Sequence, residues 1–363
     1  MHTGTANLPL HGGKAPPWLF KRMVKMSGAI SEVIVEEYGK KELLKRLSDP
    51  YWFQSFSCAI GFDWHSSGTT TVSMGALKEA LNNRDIGIKV AGGKGRTSRN
   101  TPYDLRTYGK TLGLGDELIE YLIESSRMTA KVDSAVVQDM HEIYHHTIVF
   151  DEDGSWAVIQ QGMWEEKGYA RRYHWLSHGI KSFSESPRDG IAGIDVGRAL
   201  DMSAEKSRDA RKISIDLVKD GIEHLKRDIE SISPQRTLFN FDRPVNKVKT
   251  LNMPRRINWD ALRAAYEFQP ENYDELIKVK GIGPATVRAL ALVSELIYGE
   301  EPSWKDPVKY SFTVGGKDGV PHPVNKRAMD EATRFMEDAL SMARIGDKER
   351  MRALRRLRTI VPS

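Results

Sequence analysis

The sequence predicts an α/β (α+β) N-terminal domain followed by a mainly α-helical C-terminal domain. HTIVF and SWAVIQQ are β-rich runs separated by Asp-Glu-Asp-Gly, a pattern typical of a β-hairpin. Residues 202–231 are helical in pattern and densely charged, and a Pro- and basic-rich stretch follows them. Because a chain of 363 residues has room for more than one core, we divide it into an α/β domain at 1–200, a helical linker region at 201–254 and a helical domain at 255–363.

Local periodicity predicts the other elements of the N-terminal domain. Residues 19–39 have helical periodicity, and a second helical stretch, KKELLKRLS, stops before Pro50. From residue 51 the run YWFQSFSCAIGFDW predicts a strand, followed by a Ser/Gly/Thr loop and a helix near residues 75–81. GIKVA predicts a short strand that leads into a glycine-rich basic loop, and helices follow to about Met128.

The composition is that of a soluble globular protein. Hydrophobic residues make up 40% of the chain and charged residues 28%. The net charge of +5 suits a polyanionic partner without requiring one. The single cysteine, Cys58, excludes an intrachain disulfide and a cysteine-cluster zinc site. Since no apolar run reaches the roughly 18–20 residues of a membrane span and no signal pattern is present, we expect a cytoplasmic protein with no membrane partner.

A helical hairpin is predicted within residues 272–299, after a short helix at 259–268. A first helix ends near Val279, the turn Gly281-Ile282-Gly283 follows, and Pro284 opens a second helix. The glycines supply unusual backbone angles and let a phosphate approach closely. The unpaired amides at the positive end of the second helix form an anion site. The side chains predicted to add contacts are those of Lys280, Thr286 and Arg288.

This run, KVKGIGPATVRAL, resembles the helix-hairpin-helix family of DNA-binding modules. It departs from the family's pattern at residues 286–287, where other members often carry Ala or Lys. The resemblance implies contacts to DNA phosphates that do not depend on base sequence. The alternative is a plain helical hairpin with a glycine C-cap. After it, we predict a Gly- and Pro-rich loop and a long charged helix to about residue 358.

The N-terminal half concentrates side chains that can do chemistry, since eight of the ten histidines lie in its first 180 residues. If residues 136–144 form a helix, His141 and His145 lie one turn apart and can share a metal ion. Asp63 and Asp139 could add oxygen ligands for Mg²⁺ or Mn²⁺. The alternative is that these histidines cap helices, form structural hydrogen bonds or face solvent.

Two basic segments of the same half are candidates for phosphate contacts. The loop GGKGRTSR holds Lys94 and Arg96 among glycines, but it lacks the full pattern of an ATP-binding loop. A flexible surface loop is the alternative. In RRYHW, Arg172 and its aromatic neighbours could hold a single strand by charge and stacking. An amphipathic element that buries Tyr173 and Trp175 is the alternative there.

Several phrases, among them HTGTANLPLHGGKAPPWLFKRM, GFDWHSSGTTT and YHHTIVFDEDGSWAVIQQGM, resemble one known family. It is a prokaryotic, largely archaeal family defined as a domain of unknown function (DUF763). The resemblance spans most of the chain. It implies no activity and no catalytic residues, so a function has to be argued from the residues themselves.

Together these observations lead us to expect a DNA-processing protein, specifically a metal-dependent nuclease that acts in DNA repair. In this hypothesis Asp63, Asp139 and His145 hold Mg²⁺ or Mn²⁺, and His65 or His141 handles the proton of the attacking water. The side chains expected to neutralise phosphates are those of Lys94, Arg96 and Arg172.

Two alternatives stay open. One is a non-catalytic DNA-binding or scaffold protein in which the histidines are structural. The other, weaker, is a DNA glycosylase with Asp318 as its nearest candidate for a catalytic carboxylate. A homodimer is compatible with the Pro-rich linker and the long C-terminal helix.

Overall fold

The computed structural model describes residues 8–10, 15–62, 66–185, 188–232, 253–254 and 256–309. Its helices are α1 (Pro17–Tyr38), α2 (Lys40–Ser48), α3 (Pro50–Ala59), α4 (Ser67–Asn82), α5 (Arg96–Arg99), α6 (Thr101–Thr111), α7 (Asp116–Lys131), α8 (Arg208–Lys219), α9 (Ile222–Ile232), α10 (Trp259–Phe268), α11 (Tyr273–Lys278) and α12 (Pro284–Leu296). Its strands are β1 (Leu8–Pro9), β2 (Ile88–Lys94), β3 (Val137–Gln138), β4 (Glu142–Asp151), β5 (Trp156–Trp164), β6 (Tyr169–Leu176), β7 (Gly190–Ala192), β8 (Arg198–Asp201) and β9 (Ser303–Lys305).

An antiparallel sheet forms the centre of the fold, with the strand order β1-β6-β5-β4-β2 and with β7 paired to β6. Neighbouring residues of a strand point to opposite faces. Ile148 and Val158 therefore face one core with α7, whereas Val149 and Ile159 face a second core with α1 and α4. We call these the α7 core and the α4 core. A smaller antiparallel sheet has the order β3-β8-β9.

The strongest local patterns of the N-terminal half predict the structure correctly. The predicted β-hairpin is confirmed, because β4 pairs antiparallel with β5 from Phe150 and Trp156 onward. The predicted first helix corresponds to α1, and the second ends at Ser48, before Pro50. The mixture of helices and antiparallel sheets confirms the α+β class.

Several predicted elements of the N-terminal half are wrong. The predicted Ser/Gly/Thr loop is the first half of α4, which begins at Ser67. The aromatic run after residue 50 is the helix α3, because the Asp49 carboxylate accepts hydrogen bonds from the amides of Tyr51 and Trp52 and caps it. Nearly all of its residues are buried, so a run that resembles a buried strand is a buried helix. Residues 137–151 are largely extended instead of helical, which removes the one-turn spacing expected for His141 and His145.

The helices of the C-terminal part pack on the α7 core. Leu276, Ile282 and Leu290 share it with Ile148 and Phe150 of the sheet. The helices α10, α11 and α12 lie where the periodicity places them, whereas the long helix predicted up to residue 358 lies outside the described residues. Within the described ranges, no helix combines the length and the apolar composition needed to cross a lipid bilayer.

Candidate functional site

The turn between α11 and α12 has the geometry that its glycines predict. Gly281 has φ +93°, and a Cβ there would lie 2.7 Å from Asn258 Nδ2. The Asn258 amide also donates to the carbonyl oxygen of Gly281 at 3.3 Å. Gly283 is the N-cap residue of α12, and no side chain caps that helix end. The first amides of α12 thus have no side-chain acceptor at the positive end of the helix dipole.

Neighbouring elements hold this turn in place. Lys131 Nζ donates to the carbonyl oxygen of Ile282 at 2.5 Å, and Gln138 Nε2 donates to that of Pro284 at 2.8 Å. Arg288 Nε donates to Gln138 Oε1 at 2.8 Å. The turn is therefore attached to the segment that leads into the central sheet, so its amides are fixed in direction before any ligand arrives.

The side chains predicted to assist the turn differ in their exposure. Lys280 is exposed and free to reach a phosphate, and Arg288 is half-buried beside Gln138. Thr286 is buried, which removes the side-chain contact predicted for it. The contacts available at this surface thus come from backbone amides and from Lys280.

A second feature is a row of facing residues that crosses four neighbouring strands. Lys94 of β2 faces His145 of β4, His145 faces Gln161 of β5, and Gln161 faces Arg172 of β6. Gln161 Nε2 donates to the carbonyl oxygen of Ser67, the first residue of α4, at 2.9 Å. These four side chains, which we call the Lys94–Arg172 row, thus lie beneath the amino end of α4.

His145 is the residue of this row without a hydrogen-bond partner. Its side chain is buried, and neither ring nitrogen has a partner among the described residues. Burial, together with His146 and Lys94, lowers the pKa of His145 to about 3. The imidazole is therefore neutral at pH 7, the state in which its unprotonated nitrogen can accept a hydrogen bond.

Arg172 is not the surface contact that the sequence predicts. Its side chain is fully buried, its Nε donates to His174 Nε2 at 2.8 Å, and the guanidinium lies 4.7 Å from the centroid of the Phe53 ring. Burial lowers the pKa of Arg172 to about 9. No carboxylate of the described residues forms an ion pair with it, and the electrostatic interaction with Cys58 only partly offsets the effect of burial on its pKa.

Asp139, predicted as a metal ligand, is a structural carboxylate. It accepts hydrogen bonds from Arg171 Nη1 at 2.8 Å and from the Tyr173 hydroxyl at 2.8 Å. Burial alone would raise the pKa of Asp139, but Arg171 and the hydrogen bonds hold it below the ordinary value. Arg171 also forms a bidentate pair with Asp306, at 2.9 and 2.6 Å. Two carboxylates thus neutralise one buried guanidinium.

The predicted metal ligands Asp139 and His145 do not come together. Tyr173, to which Asp139 is bonded, belongs to the α7 core, whereas His145 lies on the face of the α4 core. Asp63 and His65 lie outside the described residues, so their predicted roles stay predictions. Throughout the described residues, no three His, Cys, Asp or Glu side chains are placed to share a metal ion.

His141, which was predicted to handle the proton of the attacking water, lies next to Asp139. Its Nδ1 is 2.8 Å from the backbone oxygen of Asp139, and its buried Nε2 has no partner among the described residues. The ring packs edge-on against Trp164, with the ring centroids 5.9 Å apart. Met140, which lies between Asp139 and His141 in the sequence, has φ +71° and is exposed. The geometry gives His141 an oriented ring, but no nucleophile of the described residues is bonded to it.

The basic segment at the end of β2 is exposed. Lys94 and Arg96 both have exposed side chains, and Lys94 Nζ lies 5.9 Å from the centroid of the Tyr144 ring. The loop contains the short helix α5, and the amide of Gly95 donates to the carbonyl oxygen of Tyr144 at 2.7 Å. Lys94 therefore marks the end of the row that is open to solvent.

Sequence reasoning missed other residues of these networks. Gln161 and Asp306 were not singled out, although Gln161 lies inside a strand. The pair Gln160-Gln161 interrupts an otherwise apolar strand, and this was a usable signal of a buried polar network. Asp306 gave no comparable signal, since it becomes important only through its distant partner Arg171.

The fold and these sites define an α+β protein with a helical hairpin at its surface and a cationic row beneath α4. Residues 4–324 match the family described as Protein of unknown function (DUF763), so the chain belongs to that family. This membership confirms the resemblance noted in the sequence. No curated protein and no solved structure matches the chain.

Proposed function

We propose that the protein binds DNA through a helix-hairpin-helix formed by α11, the Gly281–Gly283 turn and α12. The observation that carries this proposal is the amino end of α12, which has no side-chain cap and lies beside the exposed Lys280. Unpaired amides at a helix amino end bind phosphate oxygens. Contacts of this kind do not read bases, so the binding is independent of DNA sequence.

Other features of the molecule support this proposal. The turn is held by Lys131 and Gln138, so little conformational entropy is lost when a phosphate binds. The net charge of +5 and the exposed cations Lys94 and Arg96 favour a polyanion at longer range. A plain helical hairpin would explain the glycines as well, and the exposed Lys280 beside the amino end of α12 favours a binding surface.

A matched pair of glycine substitutions tests the binding surface. Gly283→Asp places a carboxylate at the amino end of α12, where it caps the free amides and repels phosphate. Gly283 tolerates a side chain, since its nearest neighbour is 3.9 Å from an added Cβ. We expect the affinity for a duplex oligonucleotide to fall by about tenfold or more, as measured by fluorescence anisotropy.

Gly115→Asp is the control, because Gly115 is the N-cap residue of α7, has φ −67° and has open space around it. It introduces the same residue with the same change of charge at another helix end. We expect its DNA affinity to remain within about twofold of the wild type, because one remote surface charge contributes little. Equal losses in the two variants, or none in either, would contradict the proposed surface.

A second candidate function is metal-dependent hydrolysis of phosphodiesters in DNA repair. It is favoured by the neutral, unpartnered imidazole of His145, since a metal ligand must be deprotonated. In this proposal Asp63 and His65 complete the site with Mg²⁺ or Mn²⁺. We expect cleavage of end-labelled DNA with Mg²⁺ or Mn²⁺ that is lost with EDTA and in Asp63→Ala. Binding without cleavage under all conditions would favour a non-catalytic DNA-binding protein.

A further inference from the structure

The Lys94–Arg172 row has an excess of positive charge, since no carboxylate in the described part of the chain pairs with its two cations. Neither Lys94 nor Arg172 forms an ion pair there, and both lie on the face that α4 covers. The amino end of α4 lies over Gln161 and adds the positive end of a helix dipole. The buried charge of Arg172 is costly, and an anion bound on the same face of the sheet would lower that cost.

The row also offers a hydrogen-bonding group that nothing uses. His145 lies between Lys94 and Gln161, and both of its ring nitrogens are buried without a partner among the described residues. Buried polar atoms normally have partners, so the two unpartnered nitrogens of this ring are free to bond to a ligand. The neighbouring cations would attract an oxyanion.

We propose that the Lys94–Arg172 row is a binding site for a phosphate group. Lys94 is exposed and His145 is buried next to it, so the anion enters from the Lys94 end of the row. There it contacts the Lys94 ammonium and the His145 ring, while Arg172 and the α4 amino end act through space. This site is separate from the hairpin turn and does not depend on DNA binding there.

The chemistry of the surroundings narrows the ligand class. Gln161, which faces His145, bonds to the hydroxyl groups of Thr70 and Tyr144. They suit a small tetrahedral oxyanion, such as a terminal phosphate, better than a planar apolar group. The phosphate of a nucleotide or of a nucleic-acid end has this chemistry.

Titration of the full chain with inorganic phosphate tests the site, with binding followed by calorimetry at constant ionic strength. We expect saturable binding to the wild type that is weakened by about tenfold or more in Lys94→Gln, since a charge-assisted contact is lost. His145→Gln should weaken it as well. Lys110→Gln is the matched control, because Lys110 is an exposed lysine at the end of α6, and its affinity should be unchanged.

Two further variants separate this site from others. Gly283→Asp should keep the phosphate affinity of the row, so a failure of the proposed DNA surface leaves this test intact. Asp63→Asn tests whether the carboxylate of Asp63, instead of a bound phosphate, neutralises the charge of Arg172. Absence of saturable phosphate binding in the wild type would overturn the proposal, as would binding that appears only in Asp63→Asn. Equal affinities in the wild type and Lys94→Gln would also overturn it.

Discussion

Replacement of Arg171 by methionine is expected to destabilise the protein by about 3–5 kcal/mol, as measured by urea unfolding. The guanidinium lies between two buried carboxylates, those of Asp139 and Asp306, and bonds to both. Its removal leaves both charges buried without a cation. The same network joins the β9 region to the central sheet. The loss of stability should therefore appear in the global unfolding transition.

Two comparisons make this prediction specific. Neutralising both acids in Arg171→Met/Asp139→Asn/Asp306→Asn should restore part of the lost free energy of unfolding, because the unpaired charges are removed. Arg106→Met is the surface control. Arg106 pairs with Glu120 at 2.6 Å, but both side chains are half-exposed, so we expect a loss below about 1 kcal/mol. Similar losses in the two single variants would contradict the role of the buried network.

The free energy of unfolding is expected to fall steeply as the pH is lowered below about 6.5, the usual pKa of histidine. Burial lowers the pKa values of His145, His146 and His174, that of His145 to about 3. Below pH 6.5 these histidines bind protons in the unfolded chain but stay neutral in the folded chain. The stability present above that pH is therefore lost as the pH falls. Each such histidine adds about 1.4 kcal/mol per pH unit to the slope.

Urea unfolding at a series of pH values between 7.5 and 4.5, which span roughly this window, measures the slope. His145→Gln should reduce this slope by about 1.4 kcal/mol per pH unit, the contribution of one histidine, because glutamine does not titrate. His178→Gln is the control, since His178 is exposed and hydrated in both states. A slope in His145→Gln that equals the wild-type slope would show that the ring is not buried in its neutral form.

The parts of the fold that could be predicted are those with strong local signals. Asp-Glu-Asp-Gly fixed the hairpin of β4 and β5, and Gly281-Ile282-Gly283-Pro284 fixed the start of α12. The helix α3 was misread because a helix buried on all sides loses its amphipathic period. The extended conformation of residues 142–151 was obscured by the polar start of that strand.

The candidate site could be predicted only in pieces. Lys94, His145 and Arg172 were each singled out, but for different roles in different segments. Their common row depends on the pairing of β2, β4, β5 and β6, a tertiary register that local patterns do not contain. The same register separates His145 from Asp139, so the metal site predicted from residue types alone is not formed by those two residues.

The central claim is that the hairpin turn binds DNA phosphates, and the salt dependence of duplex binding tests it most directly. The affinity of the wild type should be measured by anisotropy over a range of salt concentrations, beside Gly283→Asp. We expect log K to fall linearly with log salt with a slope steeper than about −2, and a shallower slope in Gly283→Asp. Absence of binding at low salt, or identical slopes for the two proteins, would contradict the account.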